Sequence, residues 1–366
     1  RCENLMYGQR VIDTKDSVDI VYSFNLQNSY DCLLCHNSFN LNFSENSKDC
    51  IDSYFLFDCR NCHNCFMCWN LRNKKYCIRN KQYTPEEYEK ELKRVKLDSH
   101  NSIETFKNEF QNILKSEAVH RENFNLKTTD SIGNYLTNCD ECTNVFCWEN
   151  SQNCRNSLRG LNTKDCIDQL GCWNNEVSGN NSCVTGGYAI KHSSWSDGRY
   201  SEYLDLCSEV EYCFGCIGLR KKKYCILNKQ YSKEEYEKLR NKIIEDMIVN
   251  EEYGKFLPYS MGICDYNLSN GIIYLPNVSK EEILEKGGYW SEEDLSSHEG
   301  MSSLELPDSI NDTDKEISMQ ALICPESKYR FNISSAEYEF HKNKSFALPR
   351  LHFDTRILKK IKKTER

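Results

Sequence analysis

No apolar stretch in this chain of 366 residues approaches the roughly 18 to 20 that span a bilayer, so the sequence offers no membrane anchor. A basic excess is missing too. The net charge of -8 and pI near 5.6 argue against a generic electrostatic nucleic-acid binder, without bearing on a local basic patch. Gly-x-Ser-x-Gly, a Walker-type phosphate loop, His-Glu-x-x-His and a dinucleotide fingerprint are all missing. No Cys/His arrangement stands above background for thiol catalysis. The expectation is a non-enzymatic protein. No secretory signal precedes Arg1, and the first residue is not Met, which leaves an upstream segment open. Without a signal, a cytoplasmic or otherwise intracellular location with reduced thiols is expected.

What the chain has is cysteine, 22 residues of it. Cys2, Cys32, Cys50 and Cys65, with Ser17 in the missing place, advance in steps of 15, 15, 18 and 15. Each is introduced by a polar pair, such as Lys48-Asp49 or His63-Asn64. Cys139 to Cys154 repeats the step of 15. A short period of small polar residues and cysteines predicts stacked β coils of roughly 12 to 18 residues, each burying its face against its neighbours.

The chain also contains a duplication. CFMCWNLRNKKYCIRNKQYTPEEYEK (65–90) is echoed by CFGCIGLRKKKYCILNKQYSKEEYEK (213–238) at a constant offset of 148. Each block ends in a capping box, Thr84-Pro85-Glu86-Glu87 and Ser232-Lys233-Glu234-Glu235, which predicts helices over about 85–118 and 233–249. A third box at Ser279–Glu282 and a last helix from near Ser334 complete the pattern. The expected fold is mainly β with helices. Two cysteine-rich, β-solenoid-like units (1–83 and 130–231) are each followed by helix (84–129 and 232–250). A C-terminal segment (251–366) ends in a small α+β module from about 320.

The offset filters the cysteines. Cys59, Cys62, Cys65 and Cys68 form a Cys-x2-Cys-x2-Cys-x2-Cys run of iron–sulfur type, but Cys62 falls on Val210 in the second copy. The shared quartets are Cys59, Cys65, Cys68, Cys77 and Cys207, Cys213, Cys216, Cys225. Four thiolates suffice for structural zinc, the one cofactor expected. Unligated cysteine ladders, and disulfides or iron–sulfur, remain the other readings. The blocks also carry two basic, aromatic-flanked loops: Arg72, Lys74 and Lys75 beside Tyr76, and Arg220, Lys222 and Lys223 beside Tyr224. Such loops suit a phosphate backbone and stacked bases, which makes a zinc-dependent nucleic-acid-binding protein the alternative to a protein-binding scaffold.

These long blocks resemble a cysteine-rich, zinc-ribbon-like repeat family of candidate-phyla bacteria, some of whose members carry a CoA-transferase label. Tyr253-Gly254-Lys255-Phe256 and Gly288-Tyr289-Trp290 are similar to further parts of it. The resemblance implies no defined activity. Residues 323–356 are similar to the family's ribbon module, where two Cys-x2-Cys pairs are usual. Here the pairs read Cys324…Ser327 and His352…Thr355, so this module is expected to be metal-free, held by Tyr329, Phe331, Tyr338, Phe340 and Leu348.

Overall fold

The computed structural model describes Val18 and residues 39–364, except 257, 263, 270, 272–277 and 293–298. The expected first coils around Cys2, Ser17 and Cys32 lie outside the described residues. The described chain is mainly β with helices.

Strands β1 (Phe39–Asn42), β2 (Ile51–Phe57), β3 (His63–Trp69) and β4 (Lys75–Ile78) lie side by side in chain order, each parallel to the next. Their partners are 12 residues apart: Phe39 with Ile51, Tyr54 with Phe66, Cys65 with Cys77. The backbone has a shorter rhythm within that step. Every third residue from Phe43 to Arg79 is left-handed, with φ between 44 and 56°. That conformation costs an ordinary side chain roughly 1–2 kcal/mol, and Asn and Asp tolerate it best. Asn61, Asn64, Asn70 and Asn73 sit at such bends. The Asn61 and Asn70 amides also bond to the neighbouring step, to Asn73 at 2.7 Å and to Asp58 at 3.2 Å. The abundance of asparagine is therefore conformational.

From Phe43 to Met67, the residue after each left-handed bend points inward. Every third residue from Leu41 to Cys68 is buried: Leu41, Ser44, Ser47, Cys50, Ser53, Leu56, Cys59, Cys62, Cys65 and Cys68. β5 (Lys81–Gln82) then folds back antiparallel on β4 and ends the sheet. Helices α1 (Pro85–Leu92) and α2 (His100–Ser116) follow, so the expected single helix is broken over 93–99. Thr84 caps α1 with its capping box intact, and Ser99 caps α2 through the amide of Ser102.

A second sheet of nine strands runs from β6 (Ile132–Asp140) to β14 (Lys229–Gln230), again in chain order. All neighbours are parallel except the last pair, where β14 turns back on β13 (Lys223–Ile226). The 12-residue register recurs, as in Cys154 with Cys166 and Cys213 with Cys225. It drops to 11 where Ile132 meets Thr143 and Tyr188 meets Arg199. Each short step contains a glycine of positive φ, Gly133 or Gly198, whose missing Cβ would lie 1.9 or 2.3 Å from the carbonyl oxygen of Val145 or Val210. Helix α3 (Lys233–Val249) follows, capped by Ser232.

The remaining elements are α4 (Lys280–Glu285), the small sheet of β15 (Met301–Ser302), β16 (Leu322–Ile323) and β17 (Arg330–Phe331), then α5 (Ser335–Lys344) and α6 (Phe353–Thr364). The chain divides into two compact units: 1–120 with 264–282 and 290–366, and 121–263 with 283–289. Within the first unit the C-terminal module packs against the first sheet and α2. Asp308 accepts from the Ser99 hydroxyl at 2.6 Å and the Asn101 amide at 2.9 Å, and the Phe346 ring meets Phe43 and Tyr54.

Candidate functional site: the cysteine interior and the basic loops

The inward-facing places set a polar problem and solve it with serine. The Leu56, Cys59 and Cys65 amides donate to the hydroxyls of Ser44, Ser47 and Ser53, each 12 residues earlier, at 2.9, 3.3 and 3.0 Å. Each hydroxyl donates in turn to the carbonyl two residues before it, at 2.9, 3.1 and 2.8 Å. Asn175 and Asn181 serve the Gly187 and Ser193 amides in the same way. Cysteine at these places acts as a weaker serine. Cys68 has the carbonyls of Phe66 and Cys77, both at 3.4 Å, as acceptors for its one S–H, and its sulfur accepts from the Asn80 amide at 3.5 Å.

The second copy reproduces this with the same roles. Ser201 accepts from Cys213, Cys216 donates to Phe214 and Cys225, and Asn228 donates to Cys216. Asn80 and Asn228 clamp both main-chain groups of Trp69 and Ile217. Tyr76 lies edge-on to Tyr88, as Tyr224 does to Tyr236. The duplicated block is thus the end of each sheet: two final parallel strands, a strand turned back, and a capped helix with a buried tyrosine.

The quartets occupy several inward rows. Cys65 and Cys77 are register partners, as are Cys213 and Cys225, while Cys68 lies one row on, in the register of Leu56. Cys59 and Cys207 lie in the rows of Ser47 and Ser196, whose hydroxyls take their amide protons. Two features run against zinc thiolate here. Each quartet thiol donates to the carbonyl two residues before it, Cys59, Cys65 and Cys77 at 3.5, 3.4 and 3.5 Å and Cys207, Cys213 and Cys225 at 3.4, 3.6 and 3.6 Å. Burial also pushes the Cys77, Cys207 and Cys225 thiols up, which favours the protonated form, whereas the neighbouring Cys65 and Cys213 thiols hold Cys68 and Cys216 below the usual thiol value. Among the described residues no group of three or more His, Cys, Asp or Glu is placed to hold a metal ion, and the described cysteines form no disulfide.

The basic loops lie at the two sheet ends. Arg72 folds back on Asp58, with a 2.9 Å ion pair and a bond to its carbonyl. Lys74 and Lys75 are exposed, as are Arg220, Lys222 and Lys223. Lys223 is ion-paired to its register partner Glu211, and Arg220 lies 3.9 Å from Glu209. Tyr224 stacks on Tyr212, whose other neighbour is Tyr200, at centroid distances of 5.4 and 5.0 Å. These tyrosines follow the 12-residue register, and their ring faces pack on one another.

In the C-terminal module the two degenerate pairs do approach: the Cys324 thiol is 3.9 Å from the Thr355 hydroxyl. Cys324, Phe331, Tyr338 and Leu348 share one buried cluster with Leu306, Ile310 and Leu322. Phe340 is only half-buried; Glu337, Tyr338 and His341 fill the buried face of α5 instead.

The inward serines and asparagines were missed in the sequence, although a signal exists. The cysteine spacings from Cys50 to Cys77 are all multiples of three, and Ser44, Ser47 and Ser53 share that phase.

No family model matches this chain, and none of the curated proteins matches it. Among solved structures, a protein from Desulfovibrio desulfuricans G20 described as an acetyltransferase is 12% identical, with 68% of this chain and 72% of that one covered at a TM-score of 0.11. A likeness that weak carries no argument.

Proposed function

We propose that this chain is a non-enzymatic scaffold made of two cysteine-lined β-solenoid units, whose outer faces bind a protein partner. The recurring parallel register of 12 residues, shortened to 11 at two steps, with four bends per 12-residue step, supports the solenoid reading. One observation carries the scaffold reading. The sequence block kept in both copies is occupied with ending a stack: its cysteines, asparagines, tyrosines and capping glutamates bond to main chain or to one another. Solenoids need such ends, because an open parallel edge pairs with other chains. Arg72, Lys223 and Arg220 lie against acidic groups, which favours the scaffold over the nucleic-acid reading.

The test is co-purification from the native cells with wild type and with variants of the exposed faces. A partner retained by Cys59→Ser and Cys207→Ser but lost on charge reversal of an outer face supports the proposal. A salt-dependent shift of single-stranded RNA, abolished by reversing Lys74, Lys75, Lys222 and Lys223, overturns it in favour of nucleic-acid binding. Stoichiometric zinc on the purified protein, released by Cys68→Ser or Cys216→Ser, restores a metal centre at the quartets.

A further inference from the structure

The two copies differ most where the first is richest in sulfur. Cys59, Cys62, Cys65 and Cys68 occupy four successive inward places of one 12-residue step, and Cys50 lies 12 residues before Cys62. All are fully buried in one cluster of cysteine and leucine. The register of Ile51 with His63 sets Cys50 beside Cys62, and Cys59 and Cys65 are the inward places before and after it. At the constant offset the second copy has Gly198 and Val210 in place of Cys50 and Cys62, while Cys207, Cys213 and Cys216 remain.

We infer that the interior of the first sheet is a site for a soft monovalent ion of the copper(I) type, held two sulfurs at a time between Cys62 and its neighbours Cys50, Cys59 and Cys65. Zinc asks for four ligands, whereas a soft d10 ion is satisfied by two thiolates. The two-sulfur site therefore needs no larger ligand group. The ion replaces the proton on each sulfur it joins, which breaks that thiol's bond to the carbonyl two residues before it, and those protons pass to solvent. Two thiolates and one monovalent cation leave a single negative charge. An inward main-chain amide faces the run of sulfurs: that of Asn80 lies 3.5 Å from the Cys68 sulfur.

The second copy supplies the control, since valine already stands in the corresponding place there. The reduced protein of 366 residues is titrated anaerobically with copper(I) against bathocuproine disulfonate, and the retained ion is counted after desalting. Cys62→Val is expected to hold about one equivalent fewer than wild type. Val210→Cys, which rebuilds the run of four in the second copy, is expected to hold about one more. Equal retention by wild type and both variants overturns the inference. So does zinc retained by wild type at the same stoichiometry and lost in Cys62→Val. If Cys62→Val does not fold, as judged by circular dichroism, the gain in Val210→Cys decides alone, and its absence counts against the site.

Discussion

Replacing Ser53 by alanine tests the reasoning about the interior most directly. Ser53 is fully buried; its oxygen takes the Cys65 amide proton at 3.0 Å and its own proton goes to the Ile51 carbonyl at 2.8 Å. Alanine removes both bonds and little volume. The Cys65 amide then stays buried with no acceptor there, which costs about 1–3 kcal/mol. Cysteine is the informative comparison, because Cys68 already accepts the Asn80 amide through sulfur. Ser53→Cys is expected to lose less than half of what Ser53→Ala loses. Ser201 makes the same pair of bonds, to Cys213 at 2.9 Å and Arg199 at 2.8 Å, so Ser201→Ala should match. Urea unfolding gives the magnitude and amide exchange at Cys65 gives the place. A Ser53→Ala protein within about 0.5 kcal/mol of wild type, with Cys65 exchange unchanged, would refute the account.

Four further outcomes are expected. Gly160→Ala should destabilise the second unit by about 3 kcal/mol or more, because a Cβ there would lie 2.3 Å from the buried Trp148 ring; thermal unfolding checks it. Deleting 164–175, one register step, should leave a folded chain by circular dichroism, whereas deleting 164–169 should not, because Lys164 and Glu176 are register partners. Of the described thiols, a maleimide should label Cys264 first under native conditions, then Cys147 and Cys183, and the buried ones only on unfolding; peptide mapping reads the order. The Ser99 hydroxyl and Asn101 amide hold Asp308 below the usual carboxylate range, so its contribution is present above the unfolded pKa, near 4, and is lost as pH falls through the folded value. Acid titration of stability should show this loss in wild type and not in Asp308→Ala.

Much of the molecule was legible because it rests on local chemistry. The capping boxes at Thr84 and Ser232 place helix starts through side chains within one turn of the backbone, and both are seen. The offset of 148 located the repeated block, since the same residues make the same local bonds twice. The break between α1 and α2 was not legible from the charged run. In the structure, Asp98 and Ser99 there are bonded to Asp308, Ser309 and Ile310, more than 200 residues away.

The period shows where local reading stops. Steps of 15 are one register step of 12 plus one inward place of three, so a cysteine 15 residues on lies in the next step and the next row. Sequence spacing reports the three-residue rhythm, because each bend is a local backbone state. It does not report how many bends make a step, because that number is set by which strands pair. The role of cysteine divides in the same way. The sequence by itself determined that thiols recur, that two copies share eight of them, and that each block ends in a capped helix. Only the tertiary structure decided that Cys65 meets Cys77 across a strand pair, that Ser53 stands beneath Cys65, and that Arg72 closes on Asp58. A buried thiol and a metal ligand can have the same spacing, and what separates them is the set of partners each sulfur finds in space.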